Sequence, residues 1–107
     1  RFKLEQKWFD ISKLYFNTGE YKAAITAFKN LLHDYPATSL KEEAMFYIAK
    51  SYYLYAQNSI ESRKNERYSA MIDAGSEFIN SFPESKMGRE IKVLIEASKR
   101  NISKKNS

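Results

Sequence analysis

The sequence predicts an all-α chain built as a solenoid: two helical-hairpin repeats followed by a C-terminal capping helix. Three observations carry this expectation. Residues 5–17 recur 37 positions later as Glu5/Glu42, Phe9/Phe46, Ile11/Ile48, Lys13/Lys50 and Tyr15/Tyr52, with Gln6/Glu43, Trp8/Met45, Ser12/Ala49 and Phe16/Tyr53 as conservative pairs. The next segment recurs at a spacing of 47 instead, pairing Tyr21/Tyr68, Ile25/Ile72, Leu32/Ile79, Tyr35/Phe82 and Pro36/Pro83, so the second copy carries 10 extra residues between its halves. A repeat of this size marks stacked helix pairs, each covering its neighbour's apolar face and together presenting a surface to other proteins. The composition agrees: 3 Gly and 2 Pro in 107 residues, and no run of alternating β-branched residues.

The elements follow in order. The first helix, about 3–17, sets Leu4, Trp8, Ile11, Ser12 and Tyr15 on one face at helical spacing, and Gly19 is suited to end it. The second, about 20–35, is expected to bury Ala24, Ile25, Phe28, Leu31 and Leu32, and Pro36 stops it. Thr38 and Ser39 are candidate N-caps for the third helix, which runs to about Ala56; Ser39 with Glu42 has the spacing of a capping box. The polar stretch Gln57–Arg67 is either a helical extension with a turn or an ordered loop. A fourth helix, about 66–81, ends before Pro83. Ser85 is then expected to cap a fifth helix that carries Ile91, Leu94, Ile95 and Ser98 on one side. The expected organisation is therefore one domain over 1–98, with repeat one at about 3–36, repeat two at about 39–83 with an insertion at 57–66, a capping helix at about 85–98, and a basic, fraying tail over 99–107.

At 43% hydrophobic and 15% aromatic residues the chain is rich enough in apolar surface to fold. The formal charge of +5 comes mostly from lysines spread along the chain, which solvated helix faces explain without a specific nucleic-acid partner. There is no cysteine, which removes disulfides, thiol catalysis and thiolate-bound metals and fits an oxidising compartment. His33 is the only histidine and stands beside Asp34, so the surface is its default place. No nucleophile–base arrangement and no glycine-rich phosphate loop occurs; the expectation is a non-enzymatic protein with no cofactor and no metal. The chain opens at Arg1 instead of Met, which predicts a piece of a longer polypeptide.

Trp8, Ile11, Ser12, Tyr15, Ala24, Phe28 and Pro36 stand at the spacings of a tetratricopeptide repeat: large, apolar, small and aromatic positions on the first helix, then a small one, an aromatic and a terminal proline on the second. Ser12 and Ala24 are small so that the two helices approach, and Tyr15 and Phe28 fill the space beside them. In the second copy Met45, Ile48, Ala49 and Tyr52 fit, but Met71 and Gly75 replace the Ala24 and Phe28 types. Gly75 costs about 1 kcal/mol against Ala in a helix interior, which reads as a point of close helix approach.

Beyond the general repeat, the chain resembles the BamD family of outer-membrane lipoproteins of the β-barrel assembly machinery. The resemblance lies in Tyr21-Lys22-Ala23-Ala24, Phe28-Lys29-Asn30, Asp34-Tyr35-Pro36, Glu42-Glu43-Ala44, Tyr55-Ala56-Gln57-Asn58-Ser59-Ile60, Glu66-Arg67-Tyr68 and Phe82-Pro83-Glu84-Ser85. It implies a scaffold at the periplasmic face of the bacterial outer membrane. The implied partners are the BamA-like barrel-forming subunit and unfolded outer-membrane protein segments, with membrane contact only through an N-terminal lipid anchor absent from these residues. A general tetratricopeptide adapter of the cell envelope is the alternative.

Two surfaces are candidates for partner contact. Gln6, Phe9, Lys13 and Phe16 form a stripe on the first helix, and Glu43, Phe46, Lys50 and Tyr53 repeat its residue types on the third. Such a stripe lines the concave groove of a tetratricopeptide array, where aromatics anchor a partner and the lysines read acidic groups. Packing of the same aromatics between repeats is the competing reading. The second surface is the insertion, with Asn58, Arg63 and Arg67, which is either a solvated spacer or a docking element.

Overall fold

In a computed structural model that describes residues 2–106, the chain forms five helices: α1 (Phe2–Asn17), α2 (Tyr21–Asp34), α3 (Lys41–Gln57), α4 (Glu61–Ser81) and α5 (Gly88–Asn106). Each packs against the next, while α1 and α5 each also touch α3. This is the connectivity of a helical-hairpin solenoid, extended to 50 × 29 × 19 Å.

Gly19 ends α1 as the sequence predicts. Its φ of +83° is the left-handed geometry in which a side chain would be strained. The Glu20 N–H reaches the Tyr15 carbonyl at 2.9 Å and the Gly19 N–H the Phe16 carbonyl at 3.1 Å, the paired bonds of a Schellman close. The start of α3 differs from expectation. The capping box between Ser39 and Glu42 does not form, because Leu40 occupies the cap position. Thr38, two residues earlier, accepts the Leu40 N–H on Oγ1 at 3.2 Å and the Lys41 N–H on its carbonyl at 3.3 Å.

The insertion resolves into helix. Only Asn58, Ser59 and Ile60 separate α3 from α4, which starts at Glu61, five residues before the expected point. The extra residues therefore lengthen the second hairpin instead of looping out. In the α4–α5 link Ser85 Oγ accepts the Met87 N–H at 3.1 Å, and α5 begins only at Gly88. The helix continues to Asn106 through residues expected to fray; Ser107 lies outside the described residues.

Two apolar clusters fill the solenoid. The first joins Phe9, Ala24, Phe28, Leu31, Leu40, Ala44 and Ile48 from α1, α2 and the first half of α3 with its cap residue. The second joins Met45, Phe46, Ala49, Met71, Phe78, Ile91 and Ile95 from α3, α4 and α5. Tyr47 lies between them. Its ring stacks on Phe28 (centroids 5.6 Å apart, 10° between planes) and meets the edges of Phe9, Phe16 and Phe46 at 6.4, 5.0 and 5.1 Å. Aromatic pairs at such separations add to the stabilisation from burial alone.

The expected apolar face of α1 is only partly buried. Ser12 is enclosed, but Leu4, Trp8 and Tyr15 remain exposed, and Phe9 carries the burial instead. The internal repeat supplies the reason. In repeat two the matching Met45, Ile48 and Tyr52 lie under α2, where Lys29 Nζ sits 2.6 Å from the Tyr52 hydroxyl. In repeat one no helix of the described chain takes α2's place, and Trp8, Ile11 and Tyr15 line an open cleft of about 820 Å³ with Ala23, Ala27 and Leu31.

Candidate partner-binding surfaces

The first surface lies where α1, α3 and α5 stand side by side. Phe9 and Phe46 are each only 6% exposed, so they support this surface from beneath and do not reach a partner. Of the two readings for these aromatics, packing between repeats therefore describes Phe9 and Phe46. Phe16 and Tyr53 are half-buried; Phe16 meets Tyr21 at 5.8 Å, and Tyr53 meets Tyr68 at 5.8 Å while accepting from Gln57 Nε2 at 3.4 Å.

The lysines are held by rings of the neighbouring helix. Lys13 Nζ of α1 sits 4.8 Å from the centre of the Tyr47 ring of α3. Lys50 Nζ of α3 lies 6.0 Å from Phe16 of α1 and 5.6 Å from Phe46. Both ammonium groups thus flank the Phe16–Tyr47 pair, an arrangement that uses the negative faces of the rings. Lys50 also pairs with Glu90 of α5 at 2.8 Å, whereas Lys13 has no acidic partner among the described residues. At the other end of this face, Gln6 donates to Asp10 at 2.9 Å, and Glu43 is exposed beside the link that runs from Ser81 to Met87.

The second surface is the α3–α4 corner. The Arg67 guanidinium stacks 4.1 Å from the centre of the Tyr55 ring and donates to Ser59 Oγ at 2.7 Å. Ser59 in turn donates to the Tyr55 carbonyl at 2.5 Å, so Tyr55 at the end of α3, Ser59 of the link and Arg67 of α4 lock one another. Asn58 turns its side chain back onto the Leu54 carbonyl at 2.8 Å, satisfying the end of α3. Arg63 pairs with Glu66 at 2.8 Å in full solvent. The hydrogen bond, and then the charge, hold the Glu66 carboxyl below its ordinary range and the Arg63 guanidinium above its own. That contact is present above the pH at which an unfolded glutamate titrates and is lost as pH falls through the lowered value. Ile60, at the tip, is 70% exposed.

Sequence reasoning placed Lys13, Lys50, Arg63 and Arg67 on surfaces but missed Tyr47, Tyr55 and Glu90. Tyr47 matches Asp10 at the 37-residue spacing, so the repeat gave no signal for it. Tyr55 and Arg67, 12 residues apart, were separated by a stretch with no clear period. His33 is exposed at the end of α2, 3.3 Å from Asp34. Among the described residues no three His, Cys, Asp or Glu come together to hold a metal ion, and no helix is long and apolar enough to cross a membrane.

Five helices stacked as consecutive hairpins define a helical-repeat protein of the tetratricopeptide-like class. The model of the YfiO family, outer membrane lipoproteins, matches residues 3–106, and the chain belongs to that family. Among curated proteins none matches it.

Proposed function

We propose that this protein is a non-enzymatic scaffold subunit of the machinery that assembles β-barrel proteins in the outer membrane, working at its periplasmic face. The observation that carries the reading is the family match over nearly the whole chain. The helical corner supports it over a general envelope adapter, because Tyr55, Ser59 and Arg67 pre-order a feature that the first repeat lacks. Arginine and tyrosine are the residue types that anchor protein interfaces, and a guanidinium already fixed on a ring loses little freedom on binding. The corner docks the BamA-like barrel-forming subunit, and the α1–α3–α5 face takes segments of client proteins.

Charge reversal tests the assignment. Arg63→Glu with Arg67→Glu is expected to weaken capture of the barrel-forming subunit's periplasmic region by roughly tenfold or more, since reversal adds repulsion to the lost contact. Arg63→Glu alone, at a fully exposed position, reports the same loss in part without touching the Tyr55 stack. Helicity measured by circular dichroism stays at the parent value in both. Unchanged capture by the double variant, with capture lost in Lys13→Glu with Lys50→Glu, reverses the assignment of the two surfaces.

A further inference from the structure

We propose that the α1–α3–α5 face binds an acidic, extended segment of a partner protein, and that Glu90 occupies Lys50 until that segment displaces it. This rests on the scaffold reading and names the chemistry of the segment. Two observations point to a carboxylate ligand. Lys50 already holds one, the Glu90 carboxylate at 2.8 Å, with both side chains partly open to solvent at 32% and 47%. Lys13, the same residue one repeat earlier, has the same setting on an aromatic ring but no acid. The face therefore offers one vacant cation and one that is provisionally filled.

The repeat also sets the spacing of the ligand. Lys13 and Lys50 occupy matching positions on neighbouring helices, whose axes lie roughly 8–10 Å apart when packed through side chains. An extended chain in the polyproline II conformation brings residues i and i+3 to the same side roughly 9 Å apart. Acidic residues three positions apart on such a segment reach both ammonium groups, with the segment's backbone crossing the Phe16–Tyr47 pair. The rings restrict where each ammonium sits before binding, so less side-chain freedom is lost when the carboxylates arrive. Glu90 competes for Lys50 alone, which makes α5 a built-in competitor and sets a threshold against singly charged peptides.

The test uses the protein as it stands and a fluorescein-labelled peptide with two aspartates three residues apart in a proline-rich background, followed by anisotropy at low ionic strength. Lys13→Gln and Lys50→Gln are each expected to weaken binding roughly fivefold. Glu90→Gln is expected to tighten it by a similar factor, the opposite of what a merely structural ion pair would give. The matching asparagine peptide should bind weakly and ignore Glu90→Gln. Equal affinity of Glu90→Gln and parent, or indifference to Lys13→Gln, overturns the proposal, as does a preference for anionic vesicles over the peptide. If the peptide fails while the Arg63/Arg67 variant still loses the barrel-forming subunit, this inference falls and the scaffold reading stands. If the peptide behaves as expected while the parent captures no barrel-forming subunit, the scaffold reading falls instead.

Discussion

Replacing Phe28 with Ala should destabilise the protein by ~3–5 kcal/mol, the range for deleting a fully enclosed aromatic side chain. Phe28 has no exposed surface. It stacks on Tyr47 at 5.6 Å and meets the edge of Phe9 at 5.5 Å, so the substitution opens a cavity and removes two ring contacts together. The cavity would sit at the junction of α1, α2 and α3, where neither ring can collapse inward without leaving its own partners. A thermal melt shows this directly. A melting temperature equal to the parent's would mean that α2 does not pack on α3 in this register. Phe28→Leu, which keeps most of the volume, should recover much of the loss.

The second large effect concerns Gly75, where α4 packs tightly against Ile95 of α5. A Cβ placed there would lie 2.9 Å from Ile95 Cγ1, closer than packed carbons tolerate, and 3.1 Å from Met71 Cε, a tight contact at the end of a flexible side chain. Gly75→Ala gains about 1 kcal/mol in helix propensity but loses ~1–3 kcal/mol to overpacking, so the net change is destabilising or near zero. Gly75→Leu gains slightly less helix propensity than Gly75→Ala and meets a far larger clash, and should separate α5 from α4. The decisive measurement is a double-mutant cycle. Ile95→Ala removes the two nearest opposing atoms and leaves only the flexible end of Met71, so Gly75→Ala should turn stabilising in that background, with a coupling of ~0.5–3 kcal/mol typical of residues in contact. Additive effects of the two substitutions would show that the helices do not meet there.

Much of this architecture was legible because a repeat is read twice. The five helices, the glycine that ends α1 and the close approach at Gly75 all follow from period, punctuation and the comparison of two copies. The face of α1 was misjudged for the same reason. Trp8 and Tyr15 carry the residue types of a buried position, but burial depends on the helix that lies over them, and periodicity says nothing about whether that helix is there. The α3–α4 corner was ambiguous because its polar residues have no apolar stripe; Arg67 of α4 reaches across to Tyr55 of α3 and Ser59 of the link, a pairing that no local pattern encodes. The lysines were found by their repeat. Their rings and their acid were not, because Tyr47 breaks the match between copies and Glu90 lies on α5, outside both.

One feature of the packing governs how the molecule opens. Among the described residues α3 is the only helix that touches all four others, while α1 and α5 are each fastened on one side. In a nearly one-dimensional array, free energy is spent locally, so either end can detach while the middle persists. Backbone amides in α3 should therefore exchange with solvent deuterium only through global opening, and those of α1 and α5 through smaller, independent excursions. The cation–aromatic face spans this gradient, with its Lys50 half on the slowest-opening helix and its Lys13 and Glu90 partners on helices that come and go.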